Sequence, residues 1–127
     1  MDEPDIGPDD PEQCRERVCQ RLIAERKRIG VHLGFDLIPA PAWDILLDLY
    51  MAERTGKAVQ IWSLCIAANV PTSTAHRKIT DMINGGLLAR SMEGGRVMIG
   101  LAPGTVVKLE ALFDDLAQAW PPRSHQS

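Results

Sequence analysis

Six of the seven residues that follow Pro71 carry side chains able to form hydrogen bonds with phosphates or with the edges of nucleic acid bases. They are Thr72, Ser73, Thr74, His76, Arg77 and Lys78. The short hydroxyl side chains allow close approach, and the planar guanidinium of Arg77 can pair bidentately with guanine O6 and N7. His76 can donate to a base or a phosphate, and Lys78 is better suited to phosphate. The chemistry predicted for this stretch is recognition of a polyanion.

Residues suited to catalysis are not grouped along the sequence. The three histidines are scattered, and the three cysteines lack the spacing of a zinc site. Asp114 and Asp115 are predicted to be a solvated pair on a helix, and the tryptophans to be core anchors. The glycine pairs at 85–86 and 94–95 are typical of turns rather than of a phosphate-binding loop. We therefore expect no enzymatic activity, no metal and no cofactor.

Two short helices joined by a tight turn are predicted to position the polar residues. The first has apolar residues at three- and four-residue spacing, namely Ile61, Leu64, Cys65 and Ala68. Asn69 tolerates a left-handed backbone, and Pro71 suits the first turn of a new helix. The second helix covers about 71–84, and Gly85 and Gly86 end it. Its buried stripe is predicted to be Ala75, Ile79, Met82 and Ile83, opposite Ser73, His76, Arg77, Thr80 and Asp81.

A β-hairpin is predicted directly after the second helix. Strands at about 87–92 and 96–101 flank a tip at 93–95. Alternation places Val97, Ile99 and Leu101 on one face. Arg90 lies on the first strand and Arg96 at the tip, and a short strand at 58–60 is predicted to join the hairpin.

Several of these stretches resemble the winged helix-turn-helix of MarR-type bacterial transcription regulators. They are 41–50 (PAWDILLDLY), 71–75 (PTSTA), 86–90 (GLLAR) and 96–101 (RVMIGL). The stretch 63–68 (SLCIAA) is similar to small winged-helix proteins of alphaproteobacteria. The resemblance implies a mainly α fold with a small β-hairpin wing, flanked by N- and C-terminal helices. It also implies binding of double-stranded DNA, and a homodimer formed through the terminal helices.

The resemblance assigns roles to the wing residues. In such regulators the second helix enters the major groove. Arg96 corresponds to a wing arginine that contacts DNA, and the minor groove at A·T stretches attracts such a side chain. Arg90, like Lys78, is expected to contact phosphate, which sets register rather than sequence. The alternative for each of these side chains is that it is simply solvated. For Arg77 a second alternative is an ion pair with Asp81.

The flanking segments are predicted to support this unit. A helix at about 12–32 has a narrow apolar stripe that favours a partner helix, although packing on its own domain is the alternative. In the helix at 41–54, Asp44 and Asp48 lie near the start, where they suit the helix dipole. In the last helix Thr105 is a candidate cap. The stripe of the first helix consists of Cys14, Val18, Leu22, Ile29 and Leu33.

The chain is divided accordingly into five segments. Residues 1–11 are predicted to be a disordered acidic tail, with competition against DNA as the alternative role. Residues 12–34 form a dimerisation helix, 35–102 the winged helix-turn-helix domain and 103–120 a C-terminal helix. Residues 121–127 are predicted to be disordered. Within the first helix, the basic cluster at 26–28 either contacts phosphates or is solvated.

Charge is unevenly distributed along the 127 residues. Six of the 17 acidic residues lie within 1–12, so 11 remain against 14 basic residues in the rest of the chain. The polar helix and wing have only a modest positive bias, so one copy should attract phosphate weakly. No stretch approaches the ~20 apolar residues that span a membrane. Three cysteines fit a reducing cytoplasm.

Two functions of different class follow from the sequence. The first is a sequence-specific, dimeric regulator of transcription that binds double-stranded DNA. The alternative is a winged helix that binds another protein without specific DNA binding, favoured by the weak basic bias and by Asp81. A ligand-responsive regulator is a third possibility, because a cleft between the N-terminal helices and the winged domain would suit a small apolar molecule, but no residue indicates which one.

Overall fold

A computed structural model of the chain describes residues 10–34 and 40–119. Those residues form five helices and one three-stranded antiparallel sheet, which confirms the predicted winged helix-turn-helix with flanking helices. The predicted linker at 35–39 and the tails at 1–9 and 120–127 lie outside the described residues. The elements are α1 (Pro11–Leu33), α2 (Pro41–Arg54), β1 (Val59–Gln60), α3 (Ile61–Ala67), α4 (Thr72–Asn84), β2 (Leu88–Glu93), β3 (Arg96–Leu101) and α5 (Pro103–Ala119).

The turn between α3 and α4 has the backbone that its residues predict. Asn69 has φ of 60°, the only positive φ of a non-glycine residue in the described ranges, and Pro71 directly precedes α4. At the other end of α4, Gly86 has φ of 81°, and the Leu87 N–H donates to the Met82 carbonyl at 2.9 Å. These backbone-determined ends set the length and direction of α4.

The sheet has the order β1-β3-β2, so the short strand before α3 pairs with the wing as predicted. The hairpin tip is a two-residue turn in which Gly94 and Gly95 have φ of 56° and 79°. Two positive φ values are what a type I′ turn requires, and this turn matches the natural strand twist. The wing is therefore a regular hairpin that ends between Glu93 and Arg96.

The core lies where α2 crosses between α1, α5 and the winged unit. Tyr50 of α2 and Phe113 of α5 meet edge to face, with ring centroids 5.0 Å apart. The Tyr50 hydroxyl donates to Glu110 at 3.2 Å, and burial together with this carboxylate raises the pKa of the phenol. The Thr105 hydroxyl donates to the Leu87 carbonyl at 2.8 Å, so it joins α5 to the residue that precedes β2. Thr105 was predicted to be a candidate cap of α5, and it does not act as one.

α1 packs on α2 and α5 of its own chain, and Val18, Cys19 and Arg26 are buried along it. Burial raises the pKa of the Cys19 thiol to about 12. Near the end of α1 the stripe residues Ile29 and Leu33 are 40% and 55% exposed, so the single chain does not cover this part of the predicted stripe. No helix in the described part of the chain is long and apolar enough to cross a membrane.

Two groups predicted to be solvated are paired instead. Arg26 is buried and its Nε lies 3.1 Å from Asp44 Oδ1, so Arg26 is not available to phosphate. Arg15 bonds both carboxylate oxygens of Asp114, at 2.9 and 3.0 Å, which lowers the pKa of that carboxyl. Both pairs join α1 to another helix. They were missed because their members are far apart in the sequence.

Candidate nucleic-acid interface

The outer face of α4 is open to solvent along its length. Ala75, Ile79 and Met82 hold the opposite face against the core. Ser73 and Arg77 lie one turn apart at the centre of the outer face, and both are exposed. Among the described residues Arg77 has no ion pair, and the alternative pairing with Asp81 does not form. The guanidinium is therefore presented to solvent with its donors unused.

His76 and Lys78 leave α4 on either side of Arg77, and both are half-buried. The imidazole of His76 stacks on the indole of Trp62 from α3, with ring centroids 5.3 Å apart and planes inclined by 27°. The Thr80 hydroxyl donates to the His76 carbonyl at 3.0 Å. The predicted polar face is thus confirmed as a surface, but its centre is Ser73 and Arg77, with His76 and Lys78 at the edges.

The first turn of α4 has no side-chain cap. Pro71 occupies the capping position, and no hydroxyl accepts from the free backbone N–H groups that follow. Thr72, Ser73 and Thr74 therefore do not cap this helix, although their hydroxyls are of the type that can. All three side chains are exposed, and so is the first turn around them. Open N–H groups at a helix start, together with the helix dipole, favour an anion.

The wing brings its two arginines near α4 but not together. Arg90 lies opposite Ile99 and Arg96 opposite Glu93, so the pleat directs the two side chains to opposite faces of the hairpin. Both are exposed, and neither has an ion pair within the described ranges. Arg96 extends the polar surface at the tip, whereas Arg90 lies nearer the base of the hairpin.

Trp62 is a surface residue that the sequence analysis assigned to the core. It is 57% exposed, and Ile66, one turn later on α3, is 76% exposed. The signal was present in the sequence. The apolar stripe of α3 runs through Leu64, Cys65 and Ala68, and helical spacing places Trp62 and Ile66 outside it. A large aromatic side chain beside a polar helix face is a feature that burial alone does not explain.

A cavity of about 510 Å³ lies between α1, α2 and α3. It occupies the cleft that the sequence suggested for a small apolar molecule, but its lining includes charged groups. Burial and the neighbouring Asp44 raise the pKa of the Asp48 carboxyl to about 6, and Lys27 opposes that shift. Within 10–34 and 40–119 no three His, Cys, Asp or Glu side chains form a group that could hold a metal ion.

The fold of this chain is similar to that of solved structures from other organisms. The chain is similar to AF1382 from Archaeoglobus fulgidus, with a TM-score of 0.55 and 18% identity, over 69% of this chain and 98% of that one. It is similar to a MarR family transcriptional regulator from Silicibacter pomeroyi, with a TM-score of 0.52 and 15% identity, over 97% of this chain and 87% of that one. No protein-family model and no curated protein sequence matches the chain. The fold is therefore that of a MarR-like winged helix.

Proposed function

We propose that the protein is a sequence-specific regulator of transcription that binds double-stranded DNA as a homodimer. α4 enters the major groove and the wing lies near the minor groove. An α-helix fits the major groove of B-DNA, and the residues near its start reach the base edges. The likeness in fold to a MarR family transcriptional regulator supports this function.

Arg77, which is exposed and has no ion pair with any residue that the structure describes, carries the proposal. An arginine that served only solubility could form an ion pair with a neighbouring carboxylate, such as that of Asp81 one turn later on α4. Here the guanidinium instead stands at the centre of the surface that would face DNA, one turn after Ser73. We assign it the contact with guanine O6 and N7.

The remaining predicted residues receive supporting roles in this arrangement. The hydroxyls of Thr72, Ser73 and Thr74, with the open N–H groups beside them, contact phosphate or a base at the start of α4. His76 contacts the adjacent base or phosphate. Lys78 and Arg90 contact phosphates on either side, and Arg96 reaches the minor groove. Asp81 lies farther along α4, where repulsion of phosphate limits how far the helix can tilt.

The proposed dimer uses the apolar side chains that the single chain leaves uncovered on its terminal helices. Ile29 and Leu33 lie one turn apart on the same side of α1 and are 40% and 55% exposed, and Val107 of α5 is 67% exposed. Clustered exposed apolar groups are typical of a contact surface. Two copies would double the weak positive charge that faces DNA.

A matched pair of variants tests the dimer. Leu33→Glu places a charge in the proposed contact and is expected to give a monomer in analytical ultracentrifugation. Gln20→Glu adds the same charge on an exposed position of α1, and is expected to leave the dimer intact. A wild type that is monomeric at micromolar concentration, or a Leu33→Glu protein that remains dimeric, contradicts this interface.

Selection from a random pool of duplexes tests the function itself. We expect the wild type to enrich a site with approximate two-fold symmetry, whose half-sites lie about 34 Å apart. Binding should weaken steeply between about 50 and 200 mM salt. Absence of binding to any duplex at the lower salt concentration would contradict the proposal, because phosphate attraction is strongest there.

A winged helix that binds another protein is the second candidate, favoured by the exposure of Trp62 and Ile66 and by the acidic Asp81 on the outer face. A protein that co-purifies in a fixed ratio, and that Ile66→Asp releases, selects this alternative. It requires in addition that Arg77→Ala has no effect on DNA binding.

A further inference from the structure

The stack of Trp62 on His76 joins the two helices of the helix-turn-helix at the edge of the proposed DNA surface. Trp62 is the second residue of α3, and His76 lies in the second turn of α4. Among the described residues, ring contacts occur here and in the Tyr50–Phe113 pair of the core. The core pair is buried, whereas the indole of Trp62 remains 57% exposed. Packing of the interior therefore does not account for it.

The stack limits the freedom of a side chain that would otherwise be mobile. One ring face of His76 is covered by the indole, with planes inclined by only 27°. Neither imidazole nitrogen has a hydrogen-bond partner in the described part of the chain. Stacking on one ring face leaves the edge of the imidazole, which carries both nitrogens, free of the indole. Fixing the orientation before binding reduces the entropy lost in forming one oriented hydrogen bond.

The backbone on which His76 stands is also fixed. Its carbonyl accepts from the Thr80 hydroxyl at 3.0 Å, in addition to its place in the helix. That bond uses the Thr80 hydroxyl as a donor within α4, so Thr80 does not compete for the imidazole. Trp62 therefore restrains the imidazole of His76, and the Thr80 hydroxyl restrains the main chain of the same residue.

We propose that Trp62 is a positioning residue for sequence recognition, which holds His76 so that a ring nitrogen meets a base edge in the major groove. This inference rests on the proposed function and adds a determinant of specificity to it. Loss of the indole should therefore reduce the preference for the selected site more than it reduces general attraction to DNA.

A double-mutant cycle on two duplexes tests the role. Affinities are measured for wild type, Trp62→Ala, His76→Ala and the double variant, on the selected site and on a scrambled duplex of equal length. We expect Trp62→Ala and His76→Ala each to weaken binding to the selected site by roughly five- to tenfold, and binding to the scrambled duplex by less than about twofold. The double variant should be no weaker than either single variant, because both remove one coupled contact.

Two further variants separate positioning from folding. Trp62→Phe keeps an aromatic face for the imidazole and should restore most of the specificity. Ile66→Ala removes a side chain of the same helix that is 76% exposed, and should leave both affinities unchanged. Thermal unfolding of the Trp62 and Ile66 variants should match wild type, since both of these side chains lie mainly in solvent. Quenching of tryptophan fluorescence by the selected duplex should decrease in Trp62→Phe relative to wild type.

The outcomes are distinct. A wild type that binds neither duplex overturns the proposed function and this inference together, before any variant is compared. If wild type binds but Trp62→Ala keeps its preference for the selected site, the positioning role alone is overturned. The positioning role is also overturned if Trp62→Ala loses the same affinity on both duplexes and this loss adds to that of His76→Ala in the double variant. Such a result would indicate a separate contact of Trp62 with phosphate. If Trp62→Ala releases a protein partner and keeps the preference for the selected duplex, the positioning role is overturned and Trp62 belongs to a surface that binds protein.

Discussion

Three arginines of the helical layer formed by α1 and α2 differ sharply in environment from the arginines of α4 and the wing. Arg15, Arg26 and Arg54 bond carboxylates of other helices, with the shortest contacts at 2.9, 3.1 and 2.8 Å. Arg77, Arg90 and Arg96 are exposed and have no ion pair within the described residues. One residue type thus serves two purposes. In the helical layer it joins helices, and in the proposed interface its charge is left for an external anion.

The effect of the same substitution should differ between the two regions. Removing a paired, buried arginine strands a carboxylate, which costs stability. Removing an exposed, unpaired arginine costs the fold almost nothing and should appear only in DNA binding. The predictions below measure this contrast.

Arg26→Ala should have the largest effect on stability. It leaves the buried Asp44 without its partner, and the loss of an ion from such a pair destabilises by about 3–5 kcal/mol. Urea unfolding at neutral pH measures it. The neighbouring Arg28 is exposed, so Arg28→Ala should change the free energy of unfolding by less than about 0.5 kcal/mol.

A double substitution shows whether the charge pair is the cause. Replacing Arg26 by Met and Asp44 by Leu together removes both charges while filling the space, and should recover most of the stability lost in Arg26→Ala. If Arg26→Ala costs less than about 1 kcal/mol, or the double variant is as unstable as the single one, this account of the helical layer is wrong.

Asp48→Asn should stabilise the protein at neutral pH. The raised pKa of about 6 means that the folded protein holds this proton more tightly than the unfolded chain, so ionisation above that pH opposes folding. The advantage of Asn should be absent near pH 4, grow as the pH rises through about 4 to 6, and level off above. Because the carboxyl is only half-buried, we expect about 1–2 kcal/mol at pH 7.

The measurement is the difference in free energy of unfolding between Asp48→Asn and wild type at several pH values. The groups that face Asp48 include Asp44, which adds to the shift, and Lys27, which opposes it. A difference that is constant with pH would show that Asn acts through packing rather than through the missing charge.

Arg96→Ala should have the smallest effect. A single wing arginine contributes one phosphate or minor-groove contact, so the slope of log affinity against log salt concentration should fall by about 1. The loss should be similar for selected and scrambled duplexes if the contact is to phosphate. An unchanged slope would remove the wing tip from the proposed interface.

Local patterns in the sequence were sufficient to predict the helix-turn-helix and wing. The left-handed Asn69, Pro71 before α4 and Gly86 after it are backbone requirements that single residues satisfy, and strand alternation fixed the faces of β3. These elements could be predicted because each of their ends depends on residues that are neighbours in the chain.

Long-range pairings escaped the sequence analysis. Arg15 and Asp114 are 99 positions apart and Arg26 and Asp44 18 apart, so neither spacing indicates a contact. Trp62 was misplaced for a different reason, since its size suggested the core whereas its position on α3 placed it outside. Residue type alone was a poor guide to burial, and helical phase was a better one.

The assignment of α4 as the surface that reads DNA is tested most directly by comparing Arg77→Ala with Arg17→Ala. Arg17 is exposed on α1 and has no ion pair within the described ranges, so both variants lose one solvent-facing charge. Each is measured for its affinity for the selected duplex and for its free energy of unfolding. We predict that Arg77→Ala binds roughly 10- to 100-fold more weakly and Arg17→Ala less than about twofold, with unchanged stability in both. Equal affinities for the two variants would contradict the assignment of α4 as the surface that reads DNA.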